Sequence, residues 1–74
     1  MNTEMVINSL TNEFDTVNTI EKCIEFKDKI SAVKKDIQHD FKYGVIFDTE
    51  YNELNRKLTR LNMKNEQLIR NILY

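Results

Sequence analysis

The helical pattern of this chain is clearest in residues 48–74, which read DTEYNELNRKLTRLNMKNEQLIRNILY. Read as seven-residue repeats, this stretch places apolar side chains alternately three and four positions apart, and Asn65 is the one exception. Such spacing gathers the side chains on one narrow stripe of a helix, against which a second helix packs. We therefore predict a helix over residues 48–73. Its oligomer or partner seam would consist of Tyr51, Leu54, Leu58, Leu61, Asn65, Leu68 and Ile72.

Asn65 interrupts this seam with a polar amide. In two-stranded coiled coils a buried amide commonly pairs with its symmetry mate and fixes register and strand number, at a cost in stability. Alternatively, Asn65 lies near the frayed end of its helix and contacts water. The sequence leaves both readings open.

A second long helix is predicted over residues 19–42, with an apolar stripe of the same spacing. Its members are Cys23, Phe26, Ile30, Val33, Ile37 and Phe41. Gly44 follows where a left-handed backbone conformation would end the helix, and Asp48 or Thr49 is placed to cap the next one. Because the connection is short, the two long helices should form an antiparallel hairpin. A separate patch, Ile20 and Ile24, should receive the N-terminal segment.

The N-terminal segment predicts a short helix over residues 3–14, capped by Asn2 or Thr3. Residues 11–19 are rich in Thr, Asn, Asp and Val, which favour a break before the second helix. Asn18 and Glu21 have the spacing of a capping box at its start. The alternative is one helix over residues 3–42, because the three-four apolar spacing continues through the weak region.

Composition bounds the chain to one helical domain over residues 1–74. Of its 74 residues one is Gly and none is Pro, so few positions favour turns. Cys23 is the single cysteine, which excludes an intramolecular disulfide and points to the reducing cytoplasm. No apolar run is long enough to cross a bilayer. Residues 1–21 carry a charge of −4 and no basic side chain, so this acidic segment is expected to fold back on the mildly basic remainder.

Two further groups are candidate contact residues. Val45, Ile46 and Phe47 place large apolar side chains at the turn, where they would either contact a partner or fold under and close the end of the bundle. Arg56, Lys57, Arg60 and Lys64 form a basic ridge on the C-terminal helix. This ridge is the candidate nucleic-acid contact, although no aromatic residue is interleaved and the net charge is −1, so nucleic acid is not the expected partner.

Nothing in the sequence predicts catalysis. His39 is the only histidine and stands at no catalytic or metal-binding spacing, and one glycine cannot build a phosphate loop. We expect no enzyme activity, no cofactor and no metal. Residues 51–55, YNELN, look somewhat like the Ser-Gln-Glu-Leu-Asp motif of the small aspartyl-phosphate phosphatase hairpins of sporulating bacteria. The match covers Glu53 and Leu54, and Asn55 stands where that family has its functional Asp.

The sequence therefore predicts an all-α protein. Its architecture would be an antiparallel hairpin of two long helices plus a short N-terminal helix, and we expect it to dimerise into a helical bundle or coiled coil. Its function would be to bind a larger protein as a regulator, inhibitor or assembly adaptor. Size and composition suggest a phage or viral accessory protein acting in the host cytoplasm. The alternatives are a nucleic-acid-binding accessory protein and a structural assembly subunit.

Overall fold

The computed structural model describes residues 3–74, which form three α-helices. They are α1 (Thr3–Glu13), α2 (Ile20–Lys42) and α3 (Asp48–Leu73), and a short 3-10 turn, Phe14–Thr16, follows α1. The predicted all-α class is confirmed, since no strand occurs in this part of the chain. The molecule measures 42 × 19 × 15 Å. The 26 residues of α3 span about 39 Å at the usual rise, which is nearly its full length. Asn2, one of the two predicted caps of α1, lies outside the described residues.

The chain breaks between α1 and α2, as the weak helix-forming composition of residues 11–19 predicts. The Thr16 hydroxyl donates to the Glu13 carbonyl over 2.7 Å, and the backbone then becomes extended at Val17. The capping-box prediction is wrong in one respect, because Thr19 rather than Asn18 is the N-cap of α2. The Thr19 hydroxyl accepts a hydrogen bond from the Lys22 amide over 3.2 Å.

α2 and α3 lie side by side and run in opposite directions. Near one end Asn65 contacts Cys23, and near the other Phe41 stacks on Tyr51 with ring centroids 4.3 Å apart. Between these ends the two apolar stripes interlock, which gives the largest interface in the molecule. The buried apolar side chains of the whole core are Ile7, Leu10, Val17, Cys23, Phe26, Ile30, Val33, Ile37, Ile46, Leu54, Leu58 and Leu61.

α1 packs against both long helices through Ile7 and Leu10. The N-terminal segment therefore does not cover Ile24, which is 56% exposed, and the prediction that the Ile20 and Ile24 patch receives α1 is wrong. The reason is that α1 packs between α2 and α3 on one side of the pair, where it covers the apolar stripes of both. A helix this short is marginal alone, so this docking is what keeps it helical.

Two ion pairs tie the acidic N-terminal segment to the basic remainder of the chain. The Lys57 ammonium lies 3.5 Å from the Glu4 carboxylate, and Lys29 donates a hydrogen bond to Glu13. One pair reaches α3 and the other α2, so α1 is held at both ends. The segment folds back as its charge predicts.

The turn after α2 is a Schellman motif. Gly44 has φ +76°, its amide donates to the Phe41 carbonyl over 3.2 Å, and the Val45 amide donates to the Asp40 carbonyl over 2.8 Å. The predicted role of Gly44 is confirmed. The predicted cap of α3 is wrong, because the N-cap position falls on Phe47, which forms no side-chain cap. Asp48 instead lies in the first turn of α3, where its negative charge interacts favourably with the positive end of the helix dipole.

Over residues 3–74, no helix combines the length and the apolar character needed to span a membrane.

Candidate protein-contact surfaces

Most of the predicted seam of α3 is used inside the chain. Leu54, Leu58 and Leu61 are buried in the core against α2 and α1, and Leu68 is half-buried at its edge. Tyr51 is half-buried beneath Phe41. Only Ile72, near the C-terminus, is exposed. The seam was predicted from spacing alone, and spacing does not tell whether the helix that covers it belongs to the same chain.

Asn65 is fully buried, at 0% exposure. The prediction that it contacts water is therefore wrong, because α2 covers it. Its Nδ2 donates a hydrogen bond to the carbonyl oxygen of Cys23 over 3.0 Å, while its Oδ1 has no hydrogen-bond partner. The amide donor is thus engaged within the chain. A buried acceptor without a partner lowers the stability of the fold by about 1–3 kcal/mol, so the Oδ1 of Asn65 destabilises the protein.

Cys23 is the buried neighbour of Asn65 and has no disulfide partner. Desolvation by burial raises the pKa of its thiol, because the thiolate loses more hydration than the thiol does. A thiol of this kind is a small apolar core residue rather than a nucleophile.

The turn between α2 and α3 exposes three large apolar or aromatic side chains. Phe47 is 79% exposed, Val45 is 67% exposed, and Tyr43 is similarly open. We call Tyr43, Val45 and Phe47 the tip. Ile46 differs from its neighbours, because it is buried and closes the end of the α2–α3 pair. The two alternatives for Val45, Ile46 and Phe47 therefore apply to different residues: Ile46 folds under, and the other two face solvent.

The backbone that carries the tip is held on both sides. The Schellman motif fixes Val45 relative to α2, while the Tyr51 amide donates to the Phe47 carbonyl over 2.9 Å and fixes Phe47 to α3. The ring of Tyr43 lies against His39 at a centroid distance of 4.5 Å. Because little backbone entropy remains to be lost, this arrangement lowers the cost of contacting another surface.

The basic ridge is divided by the fold. Lys57 lies beside α1 and pairs with Glu4, and Lys64 lines a shallow depression together with Asp15 and Leu68. Arg56 and Arg60 are exposed. The acidic N-terminal segment thus partly neutralises the predicted nucleic-acid contact along one edge.

A groove runs between α2 and α3 on the side away from α1. Its volume is about 270 Å³, and its floor is formed by Ile30 and Leu58. The walls are polar and include two lysines. They consist of Lys27, Ser31, Lys34, Asn55, Thr59 and Asn62.

The described residues include no group of three or more His, Cys, Asp or Glu side chains that could hold a metal ion. His39 is exposed, with its Nδ1 3.8 Å from the Asp40 carboxylate. Glu53 is exposed, Leu54 is buried and Asn55 lines the groove, so the residues that resemble the phosphatase motif point in different directions.

No family model, no curated protein and no solved structure matches this chain.

Sequence reasoning missed two features of these surfaces. The first is the contact between Cys23 and Asn65, which was available in principle: Cys23 lies 20 residues before Tyr43, and Asn65 lies 18 residues after Phe47. In an antiparallel pair, positions at nearly equal distances from the turn face each other. The second is the groove, whose polar walls carry no periodic apolar signal.

Proposed function

We propose that this protein is a small, non-enzymatic protein-binding module that contacts a larger protein through its tip. The observation that carries the proposal is the exposure of Phe47 and Val45 on a turn whose backbone is fixed. Turns usually expose polar residues, and clustered exposed apolar groups mark contact sites. Aromatic side chains on a rigid support are also the residue type that dominates binding energy at interfaces.

A regulator, inhibitor or assembly adaptor is the role that suits such a module. Its effect on another protein would come from occupying a surface of that protein. The buried free thiol of Cys23 suits a reducing compartment, and we place the module in the cytoplasm, which would be the host cytoplasm for a phage or viral protein.

The homodimer predicted from the sequence stays a prediction, and we propose instead that the free protein is a monomer. The four innermost seam positions pack within one chain, so a second copy would have to use other residues. Intrachain packing of Leu58 and Leu61 leads us to expect that the partner is a different protein.

Site-specific photocrosslinking tests the proposal. A photoreactive amino acid would replace Phe47 in the cells where the protein occurs, and a matched probe would replace Met63, which is 65% exposed and lies about 24 Å further along α3. We expect discrete protein adducts from position 47 that the Val45→Ser change weakens, and none of the same mass from position 63.

Other outcomes would overturn the proposal. Identical adducts from both positions, or none from position 47, would show that the tip is not a contact site. A product sensitive to nuclease would favour the nucleic-acid alternative, and a product of two copies of this chain would favour a structural subunit.

A further inference from the structure

One long face of the molecule is left uncovered by α1. At 100° per residue, five side chains of α2 between Ile20 and Lys34 lie within about 80° of one another on the groove side. Six side chains of α3 between Asn55 and Leu73 do the same. Those of α2 are Ile20, Ile24, Lys27, Ser31 and Lys34. Those of α3 are Asn55, Thr59, Asn62, Glu66, Ile69 and Leu73. We call these two stripes together the open face, and the 3.8 Å ion pair between Lys27 and Glu66 joins them.

The open face has two parts. Toward the C-terminus of α3 it is apolar: Ile24 is 56% and Leu73 61% exposed, and Ile20 and Ile69 are half-buried beside them. Toward the turn it becomes the groove, which has an apolar floor and lysines on its α2 wall. Lys34 has no ion pair or hydrogen bond among the described residues.

α1 shows what kind of segment the α2–α3 pair binds. Residues 3–19 carry Glu4, Glu13 and Asp15 and no basic side chain. Ile7, Leu10 and Val17 enter the core. Glu4 and Glu13 pair with lysines on α3 and α2. An acidic amphipathic helix is therefore already seated on one side of the pair, held by apolar burial and by carboxylate–lysine contacts.

We propose that the open face binds a second acidic amphipathic helix, supplied by the partner protein. Its apolar stripe would cover Ile24 and Leu73, and its carboxylates would meet Lys27 and Lys34. These two lysines are seven residues apart, or about 10.5 Å along α2, so the matching acids are also two helical turns apart. This inference rests on the proposed protein-binding function and adds a second contact surface of defined chemistry.

Charge complementarity decides against a second copy of this chain as the occupant. The one acidic side chain of the open face, Glu66, already neighbours Lys27, and two such faces brought together would leave the Lys34 charges unmatched. Unmatched charges in a contact cost affinity and select against that partner.

The test uses the full chain and a synthetic helical peptide. The peptide carries Leu and Ile on one stripe and two Glu residues seven positions apart, and a control peptide carries Lys at those two positions. Fluorescence anisotropy at about 50 mM salt would measure binding. We expect the Glu peptide to bind at least about tenfold more tightly than the Lys peptide, and to weaken as salt is raised.

Matched variants locate the site. Lys34→Glu should weaken binding of the Glu peptide about five- to tenfold, because it replaces an attraction with a repulsion, and Ile24→Ser should weaken it about tenfold. Lys22→Glu makes the same charge change on the side of α2 that carries Glu25 and faces Glu13, and it should change affinity less than about twofold. Lys34 and Ile24 are exposed, so neither variant disturbs the core, and circular dichroism would verify the fold.

The inference is overturned if the Glu peptide does not bind below about 1 mM, if both peptides bind equally, or if Lys22→Glu weakens binding as much as Lys34→Glu. It is also overturned if the free protein is a dimer that Ile24→Ser dissociates, because a second copy would then occupy the face. Crosslinking through the tip does not depend on this face, so adducts from position 47 without peptide binding would leave the proposed function standing and remove this inference alone.

Discussion

Asn65→Leu should make the protein more stable. The side chains of Asn and Leu have the same number of heavy atoms and the same branching, so the substitution preserves shape at a site with no exposed surface. It removes the hydrogen bond from Nδ2 to the Cys23 carbonyl, which is a loss of about 1 kcal/mol. That carbonyl lies inside α2 and keeps its helical hydrogen bond.

The gains exceed this loss. The substitution removes the unpaired buried Oδ1, which costs about 1–3 kcal/mol in the native protein, and it buries a leucine side chain, a contribution of about 1.5–3 kcal/mol. Slightly greater bulk offsets part of this, about 1 kcal/mol or more. We expect a net stabilisation of about 1–3 kcal/mol, or an increase in Tm of roughly 8–16 °C at the middle of that range.

Urea unfolding, followed by circular dichroism at 222 nm, measures this difference in stability as a shift of the unfolding midpoint at an unchanged m-value. Asn52→Leu is the matched control, because Asn52 is exposed on α3, and its effect should stay within about 0.5 kcal/mol. Asn65→Asp replaces the donor with a second acceptor beside the Cys23 carbonyl and should destabilise strongly at pH 7. A loss of stability in Asn65→Leu would contradict this expectation. It would mean that the hydrogen bond from Nδ2 stabilises the fold by more than the unpaired Oδ1 destabilises it.

Three further predictions concern the core and the helix ends. Ile7→Ala should cost about 2–5 kcal/mol in urea unfolding, because Ile7 is the fully buried side chain of α1, whereas Asn8→Ala on the exposed side of α1 should cost almost nothing. Thr19→Ala should cost about 1 kcal/mol and Asn18→Ala less than half of that, since only Thr19 caps α2; equal effects would contradict this cap. Burial raises the pKa of the Cys23 thiol, so as the pH rises this thiol loses its proton in the unfolded chain before it does in the folded one. The free energy of unfolding should therefore fall above about pH 8.5. Urea unfolding at pH 7 and pH 9.5 should show a smaller fall in stability for Cys23→Ala than for the native protein. An equal fall in the two proteins would mean that other groups cause it.

The sequence is most informative where one physical signal decides the outcome. Three-four spacing of large apolar residues matches the period of a helix and not that of a strand. Gly44 is the single glycine of the chain and the residue type best suited to a left-handed position. Helix caps are harder to predict, because Thr19 and Asn18 are both good caps and the choice between them depends on where the first apolar residue must point.

The contact surfaces are harder still, because they depend on which side of each stripe a neighbour covers. Nothing in the spacing of α1 says that it packs between α2 and α3 on the side opposite the groove instead of covering Ile24. Once α1 is placed, the exposure of Ile24 and the burial of Asn65 both follow from its position and that of α2. The tip could be predicted to matter, but the separation of Ile46 from Val45 and Phe47 required the geometry of the turn.

The most direct test of this account is the mass of the protein in solution, measured by light scattering over a hundredfold range of concentration without a partner. The apolar stripe of α3 packs against α2 and α1 of its own chain. We therefore expect one species of 8.9 kDa at every concentration. A species of twice that mass, dissociated by Leu61→Asp into a chain that stays helical, would contradict it, because the stripe would then be packing against a second copy.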